Sequence, residues 1–358
     1  MAAARLMLGS VCSGVGCIDL GLEQAGFQPA WQCEINPLRR SVLARHWPGV
    51  SLYEDLSEIA DAAGLAPVDL IAGGTPCQDF SVAGRGQGLD GERSGLFYDL
   101  VRLADSQPAA WILWENVPGV LSITAGRDFA VCLEGFIGYR PGLPLNGWRG
   151  TGFAVGPLRW CCWRVLDAQH FGCAQRRRRL FLVAGPRTRC APEVLLEPES
   201  LPGGSPARLE AGAVSSTLTS GGVGGYRLDD GEIGQLVTSP LTQITSPENR
   251  ANPLHTEGAT GGVPFVFQET GTGFATGASL RSSGGSGGGV SQAVTLDGVR
   301  RLTPREYERL QGMPDDWTRW DCDGTELADT PRCQALGDGA ARPVIEWIGH
   351  RLRRAMGA

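Results

Sequence analysis

Lysine is absent from this chain of 358 residues: all 32 of its basic residues are arginine, set against 38 acidic ones for a formal charge of −6. An acidic balance excludes a protein that grips a polyanion by bulk charge alone. The arginine-only composition matches the coding bias of a GC-rich genome. Long apolar runs are missing too, and nothing approaches the roughly 20 residues needed to span a bilayer. The apolar start, Met1 to Leu8, is short and broken by Arg5, which argues against a signal peptide and for the lead-in to a buried strand. Histidine is scarce, with 4 residues, and none has a context that marks a catalytic base. There are 11 cysteines, but no C-x-x-C pair faces a second one and Cys161 and Cys162 are adjacent, so no metal site is expected. A chain this long builds its own core without disulfides. The expectation is a cytoplasmic protein with reduced thiols.

The chain is 42% hydrophobic and 20% charged, a globular balance. Strand patterns fall at residues 5–12, 29–34, 68–72, 111–114, 163–166 and 180–184. Between them, helical patterns cover 18–25, 38–47, 97–105 and 127–137. Pro37 in a first helical turn, where its missing N–H does no harm, and Gly26 past a helix end punctuate the series. Such alternation predicts an α/β fold with a doubly wound, mostly parallel sheet, whose ligands bind at the carboxyl ends of strands. From about 185 to 299 the texture changes to glycine, serine and threonine. Pro264 to Phe267 and Val290 to Leu296 still read as strands, which points to a smaller, loop-rich β domain. Order returns at Leu302-Thr303-Pro304-Arg305-Glu306, a capped helix start. A last helix is expected near 343–356. Arginine clusters at 159–189 and 300–309, and such local stripes on an acidic protein suit a polyanion bound at one face.

The unusual short sequences sit at predicted strand ends. Cys12-Ser13-Gly14-Val15-Gly16 is a glycine turn in which the backbone can approach a ligand and aim N–H groups at it. Glu34 ends the next strand, where a carboxylate can accept both hydroxyls of a ribose. Asp55 could accept from an adenine amino group. Each acid could equally be a solvated helix cap or turn. Gly73-Gly74-Thr75-Pro76-Cys77-Gln78 places a cysteine where a thiolate could be exposed and activated, and a structural cysteine would more often lie inside the strand. Trp114-Glu115-Asn116-Val117-Pro118 ends an apolar strand with a carboxyl group whose burial would let it donate a proton. Cysteine and carboxylic acid without a catalytic histidine do not make a protease.

Taken in order, Gly-Thr-Pro-Cys-Gln at 74–78, Glu-Asn-Val at 115–117 and Gln175 through Arg179 resemble the cytosine-5 DNA methyltransferase family. Residues 302–306 with Leu310 to Asp315 are similar to its penultimate signature, and Gln334 to Gly339 to its last. The resemblance implies that Cys77 attacks C6 of a cytosine flipped out of double-stranded DNA while Glu115 holds and protonates N3. It implies further that Arg177 steadies the base and Glu115, and that Arg179 is partly structural. S-adenosyl-L-methionine is the implied cofactor, held by Cys12, Ser13, Gly14, Val15, Gly16, Glu34, Ile35, Asp55, Leu56, Gly74, Pro76 and Asp338. On this reading residues 1–188 and 330–358 form the catalytic domain, 189–299 the target-recognition domain, and 300–329 the hinge between them. A monomer is expected, serving host modification beside a cognate restriction endonuclease.

Three departures stand out. Cys17 replaces a second consecutive glycine, Asp338 replaces a common asparagine, and Tyr139 to Trp160 is longer than the corresponding connection in compact members. Two alternatives stay open: an RNA methyltransferase of the same chemistry, and a catalytically silent DNA-binding relative. Thr217-Leu218 resembles a pair common in recognition domains, but Thr-Leu recurs at 295–296.

Overall fold

The computed structural model describes residues 5–61, 64–75, 95–107, 110–189, 191–196, 265–270, 273–276, 291–295 and 298–358, with backbone elements alone between 265 and 301. Pro76, Cys77 and the Thr217-Leu218 pair lie outside the described residues. The chain forms two compact units: Met1–Leu166 with Arg178–Gly203 and Val344–Ala358, and Asp167–Arg177 with Gly204–Pro343.

In the first unit β1 (Leu6–Val11), α1 (Cys17–Gln24), β2 (Phe27–Cys33), α2 (Pro37–His46), β3 (Ser51–Tyr53), α3 (Leu56–Ile59), β4 (Leu70–Gly73), α4 (Leu96–Ser106) and β5 (Trp111–Asn116) follow in alternation. Then come α5 (Arg127–Ile137), β6 (Thr151–Val155), β7 (Arg159–Asp167) and β8 (Arg178–Pro186). They make one eight-stranded sheet in the order β3-β2-β1-β4-β5-β8-β7-β6. The strands from β3 to β5 run parallel, whereas β5 with β8 and β6 with β7 pair antiparallel. The doubly wound α/β fold expected from the sequence is therefore present. β1 lies between β2 and β4, so the strand order reverses at its carboxyl end, the position where such sheets bind ligands.

Central strands bury almost every residue, as parallel strands covered on both faces must. Beside β5, Phe97, Trp114 and Phe136 meet edge to face, with ring centroids 5.3–5.8 Å apart. Close backbone packing continues to the strand ends. A Cβ on Gly73 would fall 2.1 Å from the Val11 carbonyl oxygen. The segment from Tyr139 to Trp160 contributes β6, which closes one end of the sheet.

The second unit holds a four-stranded antiparallel sheet, order β10-β9-β11-β12, from β9 (Phe265–Thr270), β10 (Gly273–Thr276), β11 (Ser291–Thr295) and β12 (Gly298–Arg301). α6 (Pro304–Leu310) opens with a complete capping box: the Thr303 hydroxyl accepts from the Glu306 N–H, and the Glu306 carboxylate accepts from the Thr303 N–H. α7 (Asp329–Asp338) follows, and α8 (Arg342–Ala355) begins in this unit and ends in the first. Glu308 is fully buried and receives the Asp316 N–H, the Thr318 N–H and the Thr318 hydroxyl, with Arg332 3.4 Å away. Among the described residues no helix is long and apolar enough to cross a membrane, and no cysteine is in a disulfide.

Candidate active site

Two clusters occupy the carboxyl ends of the parallel strands. The first surrounds the turn after β1. Gly14 has φ +60° and nothing within 4 Å of an added Cβ, which leaves an open cradle. Gly16, φ +83°, caps α1 and lies against the Trp47 ring, 2.5 Å from where its Cβ would stand. Cys12, with φ +48°, adopts the left-handed conformation without being glycine. Glu34, buried at the end of β2, takes the Gly14 N–H on Oε2 at 2.7 Å and the Asn36 N–H on Oε1 at 2.9 Å. A carboxylate offers about four acceptor positions, so two backbone donors leave room for ribose hydroxyls.

Asn36 then starts α2 by accepting the Leu38 and Arg39 N–H groups, ahead of Pro37. Arg40 reaches back to the carbonyls of Glu34 and Ile35, and the Ile35 side chain next to the acid in sequence is 65% exposed. An exposed isoleucine there offers an apolar face to a flat base. Asp55 caps α3, its Oδ1 accepting the N–H and hydroxyl of Ser57, while Leu56 is buried. The cap role weighed for Asp55 in the sequence is thus the one seen. Burial, with the charges of Glu34 and Asp55, pushes the Cys33 thiol up to about 12, so it stays neutral.

The second cluster ties β4 to β5. The Trp114 indole N–H donates to Thr75 Oγ1 at 3.0 Å, and the Asn116 amide donates to the Thr75 carbonyl at 3.0 Å. These bonds fasten the backbone two residues ahead of Cys77 to the strand that carries Glu115. The Glu115 carboxylate packs on Gly74, where an added Cβ would lie 2.9 Å from Oε2. Only glycine leaves that space.

Arg179, to which the resemblance gives a partly structural role, meets Glu115, with Nε 3.1 Å from Oε1. The reason is register. Glu115 pairs with Phe181 across β5 and β8, and Arg179 stands two residues from Phe181, on the same face of the sheet. Arg177 precedes the strand. It is 1% exposed and donates from Nη2 to the carbonyls of Gly337 and Gly339 at 2.8 and 2.6 Å. Arg177 thus clamps the end of α7, where Asp338 is exposed. Two glutamines of the signatures, to which sequence reasoning gave no role of their own, complete this clamp. Gln175 donates to the Leu310 carbonyl and to Gln311, and Gln311 donates to the carbonyls of Leu336 and Gly339.

The fold, with a glycine turn and acid on one side of the switch point and a carboxylate held at the next strand ends, is that of a Rossmann-like methyltransferase. Within that class the family model for C-5 cytosine-specific DNA methylase matches residues 6–354, and the chain belongs to that family. A protein of Escherichia phage P1 named DNA N-6-adenine-methyltransferase is 30% identical over 98% of this chain, which spans 62% of that protein's length. Type II methyltransferase M2.BsuMI of Bacillus subtilis is 28% identical over 98% of this chain and 76% of its own. Among solved structures, the Entamoeba histolytica methyltransferase EhMeth covers 99% of each chain with a TM-score of 0.58 at 13% identity, which speaks to the fold.

Proposed function

We propose that the chain transfers a methyl group from S-adenosyl-L-methionine to C5 of a cytosine flipped out of double-stranded DNA, through a bond between Cys77 and C6. The observation that carries this reading is the fastening at the ends of β4 and β5, where Thr75 is tied to Trp114 and Asn116 and Glu115 is pinned between Gly74 and Arg179. When bound, the cofactor supplies an electrophilic methyl group on its sulfonium.

Cys77 Sγ attacks C6, and the ring electrons move toward C5 while Glu115 holds the N3 edge and shares its proton. Arg179 orients Glu115 for that task. C5 takes the methyl group; loss of the C5 proton and departure of the Cys77 thiolate then restore the aromatic ring. Glu34 and the Gly14 turn would hold the ribose and the methionine end, and Ile35 would face the adenine. The target base must leave the stack, which costs on the order of a few kcal/mol and is offset by pocket contacts.

Residues 189–299 read the target sequence from the major groove, and 300–329 join them to the catalytic part. The protein acts as a monomer in the cytoplasm, beside a restriction endonuclease of the same specificity. The name of the phage relative points to adenine, but a cysteine–glutamate pair suits attack on C6 of a pyrimidine. Digesting DNA from cells that express the chain, and measuring 5-methylcytosine and N6-methyladenine by mass spectrometry, separates the two. Bisulfite sequencing beside a Cys77→Ser control should then show one short protected motif, lost in the control. N6-methyladenine without 5-methylcytosine would overturn the proposal, and absence of both would favour the RNA or silent alternatives.

A further inference from the structure

A carboxylate with no obvious catalytic task lies under the glycine turn. Asp19, in the first turn of α1, is fully buried. It accepts the Gln32 amide on Oδ1 at 2.8 Å and the Ser10 hydroxyl on Oδ2 at 3.1 Å. Ser10 is also 2.8 Å from the Ser13 hydroxyl, which in turn donates to the Cys33 carbonyl at 3.2 Å. Ser10, Ser13, Gln32 and Cys33 are all buried. One hydrogen-bonded chain therefore runs from Asp19 to the turn and to the end of β2 beside Glu34.

Among the described residues the hydrogen-bond partners of Asp19 are neutral side chains, and no arginine pairs with it. A lone buried carboxylate is costly to the fold. Asparagine has the same shape and would keep both bonds, with Ser10 turned to accept. What aspartate adds is charge. The first N–H groups of a helix carry a partial positive charge that favours anionic ligands. In the dinucleotide-binding version of this turn that charge meets a pyrophosphate. Here the acid is buried within the same first helical turn and opposes it. Burial raises the Asp19 pKa to about 6, the Gln32 and Ser10 donors holding it down, so the group is ionised at neutral pH.

We infer that Asp19 is a specificity-determining residue that sets the charge of the cofactor cleft, favouring the cationic sulfonium of the methyl donor over the neutral thioether of the spent product. The inference rests on the cofactor reading above. It gives a physical basis for product release: after transfer the ligand loses the charge that the buried carboxylate favours.

The test is equilibrium binding of S-adenosyl-L-methionine and S-adenosylhomocysteine to the full chain and to Asp19→Asn at pH 7.5, by titration calorimetry. The two ligands differ by one methyl group and one charge, so the ratio of their affinities cancels effects on the rest of the site. Retained binding of S-adenosylhomocysteine shows that the variant is folded. The expected result is a roughly tenfold fall in the donor-to-product affinity ratio, the scale of one unit charge acting through protein. An unchanged ratio, or equal weakening of both ligands, would overturn the inference and leave Asp19 a structural residue. If the unaltered chain binds neither ligand, the cofactor reading itself fails and takes the inference with it.

Discussion

Glu115 is held by shape on one side and charge on the other. Gly74 leaves room for its carboxylate, and Arg179 approaches at 3.1 Å from the next strand. Arg177, two residues away in sequence, is almost fully buried and donates from Nη2 to two carbonyls. The two arginines should therefore fail differently. Arg179→Ala should lower turnover by about 100-fold, the usual scale for disturbing one acid–base group, with little change in melting temperature. Arg177→Ala removes the side-chain donor to the Gly337 carbonyl and one of the two donors to Gly339, and should cost about 3 kcal/mol of stability. Steady-state kinetics with chemical denaturation checks both, and equal effects on stability would void this division of roles. Asp19 supplies a second prediction. Its folded pKa, about 6, stands above the ordinary 3.8, so the folded chain binds that proton more tightly than the unfolded one. The stabilisation is full below pH 3.8 and is lost as pH rises through 6, about 3 kcal/mol in all. Asp19→Asn should erase this component. Unfolding free energies at pH 5 and 7.5 should differ less in the variant than in the parent, and an identical difference would mean the proton is not held there.

At the scale of elements, the strand-and-helix alternation was legible because hydrophobic runs, Pro37, Gly26 and the Thr303 cap are local signals that the fold obeys. β3 and β6 were not, since three exposed or half-buried residues and an alternating edge strand carry little hydrophobic pattern. α7 was also missed; Gly337 near its end and a polar face hide its helical period. The site residues were readable as short motifs, but their pairing was not. Which arginine reaches Glu115 depends on antiparallel register, and the Gln175–Gln311 clamp joins residues more than 130 positions apart. The glycine turn shows what a motif alone leaves out. Gly14 and Gly16 both have positive φ, yet only Gly16 is packed, against Trp47. Gly16→Ala should lose about 2 kcal/mol through overpacking. Gly14→Ala should cost about 1 kcal/mol for its backbone conformation while filling the cradle and weakening cofactor binding. Thermal melts paired with ligand titration read the contrast, and a Gly14→Ala protein with undiminished affinity would remove that turn from the site.

For the whole molecule, the resemblance and the fold make different kinds of claim. The family match runs from residue 6 to 354 and so includes the stretch that resembles a recognition domain. The groups proposed for chemistry lie elsewhere: Glu34, Glu115 and Arg179 all belong to the first unit, whereas the four-stranded sheet of β9 to β12 belongs to the second. If sequence reading and chemistry are separable in this way, residues 190–299 can be exchanged for those of a relative without touching Thr75, Glu115 or Arg179. The chimera should keep its affinity for S-adenosyl-L-methionine and its dependence on Cys77, yet protect a different motif in bisulfite sequencing, the one its donor modifies. Base-edge contacts carry sequence information that backbone contacts do not, so a change of motif would assign those contacts to the exchanged segment. A chimera that still methylates the original motif would place recognition outside 190–299, and the arginine cluster at 300–309 would be the next segment to exchange.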